Sequence, residues 1–178
     1  VTRILGAVLA GGLGRRFGSD KAVATFHGEQ LIDRVIERLA AQVDRVIICG
    51  RTWADHISAT DRPAPHLGPL GGLNAALHHA EAHGFGLVLA VPCDAPDLPA
   101  DLASVLIAAG PPAFLADLPV IGCWPSALAS VLDRHLATTS DRSVRLWATV
   151  AGARPVPYGA IVNINTLHDL RQAEFRND

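Results

Sequence analysis

The sequence predicts an α/β protein: a mostly parallel central sheet covered by helices on both faces, in three α/β/α layers. Three observations lead to this. Short continuous apolar runs, such as Ile4–Ala10 and Leu87–Val91, read as strands buried on both faces, as parallel sheets require. Helix-patterned stretches of about 10–14 residues separate the runs, enough for crossover connections. The first run opens into a glycine- and arginine-rich loop, and in such folds ligands sit beyond the carboxyl ends of strands.

The elements follow in order. Ile4–Ala10 is the first buried strand, and residues 11–21 form the loop. Leu31, Ile32, Val35, Ile36 and Leu39 recur at helical spacing, with Asp33, Arg34, Glu37 and Arg38 between them, so this segment is an amphipathic helix. Arg45–Gly50 is a second buried strand, and residues 58–69 read as loop with a short strand. A helix runs from about Leu70 to His83 on the stripe Leu70, Leu73, Leu77 and Ala80, with Gly84 at its C-cap. Gly86–Val91 is a third buried strand, running into Pro92-Cys-Asp-Ala-Pro-Asp97 and then a helix from about Pro99 to Ala109. Residues 113–124 hold one or two strands broken near Pro119. Further helices are marked by Leu128, Val131, Leu132 and Leu136 and by Val144, Leu146, Trp147 and Val150. Residues 154–164 read as two short strands, and Thr166 as the N-cap of a final helix. No internal repeat, low-complexity tract or linker interrupts the chain, so its 178 residues are expected to form one domain.

Composition narrows the function. A net charge of −2 argues against a nucleic-acid coat or a polybasic membrane binder. No apolar run approaches the roughly 20 residues of a membrane span, and Ile4–Ala10 is too short for a signal-peptide core. Cys49, Cys93 and Cys123 are odd in number and contain no CxxC, which points to a reducing compartment, the cytoplasm, rather than to disulfides or a zinc knuckle.

Two motifs carry most of the chemistry. In Leu9-Ala-Gly-Gly-Leu-Gly-Arg-Arg-Phe-Gly-Ser-Asp-Lys21 the glycines let backbone N–H groups approach phosphate oxygens, and Arg15, Arg16 and Lys21 add positive charge. The bland alternative is a strand-to-helix loop with solvated arginines. A Walker A spacing is absent, and Phe17 stands where a dinucleotide fingerprint needs its last glycine. The second strand also ends Cys49-Gly50-Arg51, without the acid such a fingerprint pairs with. The second motif is Asp94, a carboxylate at the end of a strand facing the phosphate loop, which suits a Mg²⁺ ligand beside a triphosphate. Asp97 and Asp101 instead suit acids that complement the dipole of the following helix.

Weaker signals stay open. Gly68-Pro-Leu-Gly-Gly-Leu73 is either a helix entry that holds an anion or lets a base or ribose pack closely, or only a tight turn. Asn163 and Asn165 share one face of an extended segment and either join a polar site or end a strand. His79 and His83 have metal-ligand spacing but lie opposite the apolar stripe and are expected to face water. Cys93 has no readable histidine partner and is expected to be a core-facing thiol.

Leu9-Ala-Gly-Gly through Asp20-Lys21, Gly68-Pro-Leu-Gly-Gly, Pro92-Cys-Asp-Ala-Pro and Asn163-Ile-Asn-Thr together resemble the molybdenum cofactor guanylyltransferases, in the family's order and over essentially the whole chain. The resemblance implies a Rossmann-like fold of nucleotidyltransferase type, with residues 1–178 as a single nucleotidyltransferase domain. It implies that GMP passes from GTP to a molybdopterin-type cofactor, giving the guanine dinucleotide form and pyrophosphate. It places Leu9, Ala10, Gly11, Gly12, Lys21 and, less directly, Asp61 at the nucleotide, and Asp94 at Mg²⁺. Arg15 and Lys21 would act with Asp94 in catalysis. Partners would be the two substrates and the enzymes that supply or accept the cofactor, with no nucleic acid and no membrane. The family's Asn after the second strand is replaced by Cys49, its late Pro by Leu167, and its pterin-positioning segment has no match in 114–126. Gly11-Gly12, rather than Ala-Gly, resembles the guanylyl branch and favours GTP. The alternatives are a relative using CTP or another nucleotide on a different acceptor, a catalytically silent nucleotide-binding regulator, and, disfavoured by Phe17, a dinucleotide-dependent oxidoreductase.

Overall fold

The computed structural model describes residues 2–12 and 20–175, with the backbone alone at Lys21, Leu167, Glu174 and Phe175. The chain runs through β1 (Ile4–Leu9), a 3₁₀ turn (Lys21–Val23), β2 (Thr25–Phe26), β3 (Glu29–Gln30), α1 (Leu31–Ala40), β4 (Arg45–Cys49) and β5 (Ser58–Ala59). It continues through α2 (Pro69–Ala82), β6 (Leu87–Pro92), α3 (Leu102–Ala108), β7 (Ala113–Leu115) and β8 (Gly122–Pro125). The last elements are α4 (Ala129–Thr138), α5 (Val144–Val150), β9 (Arg154–Val156) and α6 (Leu167–Phe175).

Seven strands form one sheet in the order β5-β4-β1-β6-β8-β7-β9. Only β8 pairs antiparallel with its neighbours, so the sheet is mostly parallel as expected. Side chains alternate across it. Leu5, Ala7, Ile47, Val88 and Ala90 pack under α2, α4 and α5, while Val8, Ile48, Leu89 and Val91 pack under α1 and α3. Both faces are therefore apolar, which is why the strands read as unbroken apolar runs. At Gly6 a Cβ would stand 2.9 Å from Leu39 and Val43, so the missing side chain lets α1 lie close on β1.

Several details depart from the sequence reading. A two-stranded ribbon, β2–β3, precedes α1; its His27-Gly28 turn has positive φ at both residues, as tight hairpins demand. Of the two strands expected in 154–164 only β9 forms. Pro155 and Pro157 cannot donate to a ladder, which confines this segment to the sheet edge and ends it early. The helix expected from Pro99 begins at Leu102. The apolar face of α2 is wider than one stripe: Gly71, Gly72, Asn74, Ala75 and Ala76 are also buried, because small residues let the helix press on both the sheet and α4. The helix closes as expected, with Gly84 at φ +72. Thr166 caps α6: its hydroxyl accepts the Asp169 N–H at 3.1 Å while the Asp169 carboxylate accepts the Thr166 N–H at 2.9 Å. Among the described residues no helix is long and apolar enough to cross a membrane, and all three thiols are free.

Candidate active site

Sheet order decides where a ligand can enter. From β1 the chain crosses to β4 on one side, and from β6 it passes to β7 and β8 on the other. The crevice between adjacent β1 and β6 is thus the point where the winding reverses. Leu9 and Pro92 are in register there, the Cys93 N–H donates to the Leu9 carbonyl at 3.2 Å, and the Ala10 N–H donates to the Cys49 carbonyl at 2.9 Å. A cavity of about 210 Å³ lies directly beyond these ends. Leu9, Ala10, Gly11, Gly12, Asp61 and Asp94 all line it, so the tertiary structure brings together six of the residues singled out from sequence. Gly68, Pro69 and Gly72 at the entry of α2 line it too, as does Cys49. Arg15 lies outside the described residues, and so does the side chain of Lys21.

One wall is built of backbone. Gly50 has φ +87, and a Cβ on it would stand 2.4 Å from the Gly11 Cα. Only glycine allows the chain leaving β4 to cross the chain leaving β1 this closely. Cβ atoms built on Gly11, Gly50 and Gly71 would also approach the Asp61 carboxylate or its Cβ at 3.0–3.2 Å. Asp61 thus sits in a glycine cradle. Its Oδ1 is buried and has no hydrogen-bond partner among the described residues. Burial raises its pKa above the usual carboxylate value, against an opposing pull from His66. A second cavity of about 410 Å³, lined by Gly50, Arg51, Ser58 and His66, shares Gly11 and Asp61 with the first.

The facing wall is the turn after β6. The Ile164 N–H donates to the Asp94 carbonyl at 2.8 Å, which seats the Asn163–Asn165 segment against the acidic turn. The Asn163 Oδ1 is buried without a hydrogen-bond partner among the described residues. Asp97 and Asp101 precede α3 as the sequence suggested, Asp101 at its N-cap, and both also have side-chain partners. Asp97 pairs with Arg34 of α1 at 3.1 Å, and Asp101 accepts the Tyr158 hydroxyl at 2.5 Å and makes no side-chain cap. Arg34 therefore ties α1 to the turn that carries Asp94.

Other candidates fall away from the cavity. The His79 and His83 rings stack at 4.0 Å near the far end of α2, and His79 is half-buried rather than fully in water. Burial, then His83 and Arg45, lower its pKa. Among the described residues no three His, Cys, Asp or Glu side chains group closely enough to hold a metal by themselves. Cys93 is half-buried, packs against the core as expected and also lines the 210 Å³ cavity, whose lining contains no histidine among the described residues. Cys49 is buried, and burial reinforced by Asp61 pushes its thiol far up, so it stays protonated. Sequence reading passed over Gly50 and Arg51 as site-builders; their signal was a glycine directly after the second strand.

The model of the MobA-like NTP transferase domain matches residues 6–154. The chain belongs to this family. A molybdenum cofactor guanylyltransferase of Sinorhizobium fredii is 36% identical, over 94% of this chain and 88% of its own length. One from Rhodobacter capsulatus is 36% identical, over 98% and 96%. Among solved structures, molybdopterin-guanine dinucleotide biosynthesis protein A from Archaeoglobus fulgidus shares the fold with a TM-score of 0.79 at 22% identity, covering 97% of this chain and 98% of its own. The family span contains every residue that lines the 210 Å³ cavity among those described, from Leu9 to Val120. The chain is a nucleotidyltransferase in fold and family.

Proposed function

We propose that the protein transfers GMP from GTP to a molybdopterin-type cofactor, as the names of its curated relatives describe for them. In this reaction a terminal phosphate oxygen of the pterin attacks the α-phosphorus of GTP in line. The bond from that phosphorus to the oxygen bridging to the β-phosphate breaks, and pyrophosphate leaves. The nucleophile is already an anion, so no strong general base is required, in keeping with a cavity lining that holds no histidine among the described residues. The observation that carries the reading is the meeting of the Leu9–Gly12 backbone, Asp61 and Asp94 in one cavity at the switch point.

In this assignment Leu9, Ala10, Gly11, Gly12 and Asp61 hold the nucleotide, and the cations Lys21 and Arg15 would stabilise the charge that builds on the phosphates. Asp94 holds Mg²⁺. Asp94 shares the cavity with Asp20 and Asp61, and so few carboxylates fit that ion, which keeps several waters and takes other ligands from substrate phosphates. When bound, the ion would supply Lewis-acid stabilisation of the α-phosphate and the leaving group. The domain spans residues 1–178 and acts in the cytoplasm, beside the enzymes that supply or accept the cofactor. Three free thiols and a net charge of −2 support a reducing compartment and no nucleic-acid role.

Cys49 favours a second reading. It lines the cavity where the resembling family carries Asn, and a protonated thiol cannot replace an amide's hydrogen bonds to a base or ribose. CTP is therefore the competing donor. Turnover with GTP, CTP and ATP on molybdopterin-loaded carrier, read by pyrophosphate release, decides between them. GTP is expected to give the highest kcat/KM. Preference for CTP would overturn the guanylyl assignment alone, and release with no nucleotide would overturn the transferase.

A further inference from the structure

Arg51 makes two contacts that join separate parts of the nucleotide site. Its Nε donates to the Ala10 carbonyl at 3.2 Å, and its Nη1 pairs with the Asp20 Oδ2 at 2.9 Å. Ala10 is where the chain leaves β1 toward the glycines. Asp20 is the residue before Lys21, and its other oxygen, Oδ1, accepts the Ala22 N–H at 3.2 Å, fixing the 3₁₀ turn that Lys21 opens. One planar guanidinium thus spans two points ten residues apart in sequence. Gly50 makes the reach possible: its positive φ and its close crossing of Gly11 turn the chain back over the end of β1. The Gly50 N–H, held by the Ala59 carbonyl at 2.9 Å, anchors that turn to β5. The Arg51 side chain is 22% exposed and that of Asp20 45%, so the arginine end of the pair is the shielded one.

We propose that Arg51 is a positioning residue for the nucleotide: it sets the distance between the Leu9–Gly12 backbone and the backbone of Lys21 before any ligand arrives. The proposal rests on the reading of this cavity as the nucleoside triphosphate site. Only a residue with two divergent donors can do this. A lysine at 51 carries one compact ammonium and can satisfy Ala10 or Asp20 but not both in the same geometry. With the staple gone, ordering these segments falls on the binding step, so affinity suffers more than the chemical step once substrate is bound.

The test is steady-state kinetics of Arg51→Ala, Arg51→Lys, Asp20→Asn and the double variant Asp20→Asn/Arg51→Ala, with thermal melts of each. Arg51→Ala is expected to raise the nucleotide KM about 10-fold while kcat changes less than about 3-fold. Arg51→Lys should recover only part of this. Asp20→Asn should raise KM less than Arg51→Ala, and the double variant should be no worse than the worse single one, because both act through one contact. A purely structural role would instead lower the melting temperature and the active fraction, cutting kcat at constant KM. A direct contact with the base would make the loss differ among the nucleotides turned over, whereas positioning costs each the same factor. An unchanged KM in Arg51→Ala, full recovery by lysine, multiplying effects in the double variant or a base-dependent loss overturns the proposal. If the parent prefers CTP, the guanylyl reading falls and the same series run with CTP still decides for Arg51. A parent that binds no triphosphate overturns both.

Discussion

The chain leaves β1 through Ala10-Gly11-Gly12, with no side chain beyond a methyl, and leaves β6 through Pro92-Cys93-Asp94-Ala95-Pro96-Asp97. These two exits stand side by side, Leu9 in register with Pro92, and face one cavity. Yet they are held in different ways. The first is fixed by backbone pressed on backbone, Gly50 against Gly11, with Asp61 enclosed by glycines. The second is fixed by side chains and by a distant segment, through Arg34 on Asp97 and the Ile164 N–H on the Asp94 carbonyl. In the glycine wall, geometry is the function, so substitutions there disturb packing first. In the acidic turn, a charged group is presented on a scaffold secured elsewhere, so removing that group should disturb chemistry first.

The sharpest test of the contrast is Asp94→Ala. Turnover should fall by about 10²-fold or more, the scale of losing a preorganised electrostatic stabiliser, while circular dichroism and melting temperature stay at parental values. Activity within a few-fold of the parent would sink the metal assignment and erase the contrast from the chemical side. Gly50→Ala comes next and should do the reverse. Its Cβ meets the Gly11 backbone and its φ of +87 strains any L side chain, so a urea midpoint corresponding to a loss of about 2 kcal/mol or more is expected. Parental stability would mean the wall has room that its geometry denies.

Asp61 lies on the boundary between the two principles, a carboxylate inside the glycine wall. Its folded-state pKa is raised, so the folded protein binds this proton more tightly than the unfolded chain does. The corresponding stabilisation is complete below the unfolded pKa, near the usual 3.8, and is lost as pH rises through the higher folded value. At neutral pH the parent therefore carries an unfavourable buried charge. Asp61→Asn is expected to melt higher than the parent at pH 7, with the advantage shrinking toward pH 4, and to bind GTP more weakly. Melting curves at both pH values with a GTP titration check this; a lower melting temperature at pH 7 would show that the carboxylate is satisfied in the folded protein. The smallest effect on the fold belongs to Gly12→Ala. Among the described residues a Cβ there meets nothing within 4 Å, so stability should change by less than about 0.5 kcal/mol. Gly12 lines the cavity, so any loss should appear in the GTP KM alone. A large stability loss would place Gly12 inside the packed wall.

The sequence by itself determined the layered fold, since apolar runs interrupted by helical periodicities have few other ways to hide both faces of a sheet. It also determined which short segments line the cavity: loops at the ends of buried strands must lie at the sheet's carboxyl edge, and glycines and an acid there are conspicuous. Short elements were less legible, because the β2–β3 ribbon and the single strand β9 depend on pairing partners far along the chain. Tertiary structure alone decided which polar groups are committed. Asp94, Asp97 and Asp101 look alike in a row of residues. Only folding brings Arg34 to Asp97 and Tyr158 to Asp101 and sets Asp94 in the lining of the cavity. It likewise set Gly50 against Gly11 and swung Arg51 across to Ala10 and Asp20, contacts between β1, β4 and the residues before α1. The physical reason is range. Periodicity and turn chemistry act over a few residues and can be read locally, whereas a charge's partner and the clearance around a glycine are fixed by segments tens of residues apart.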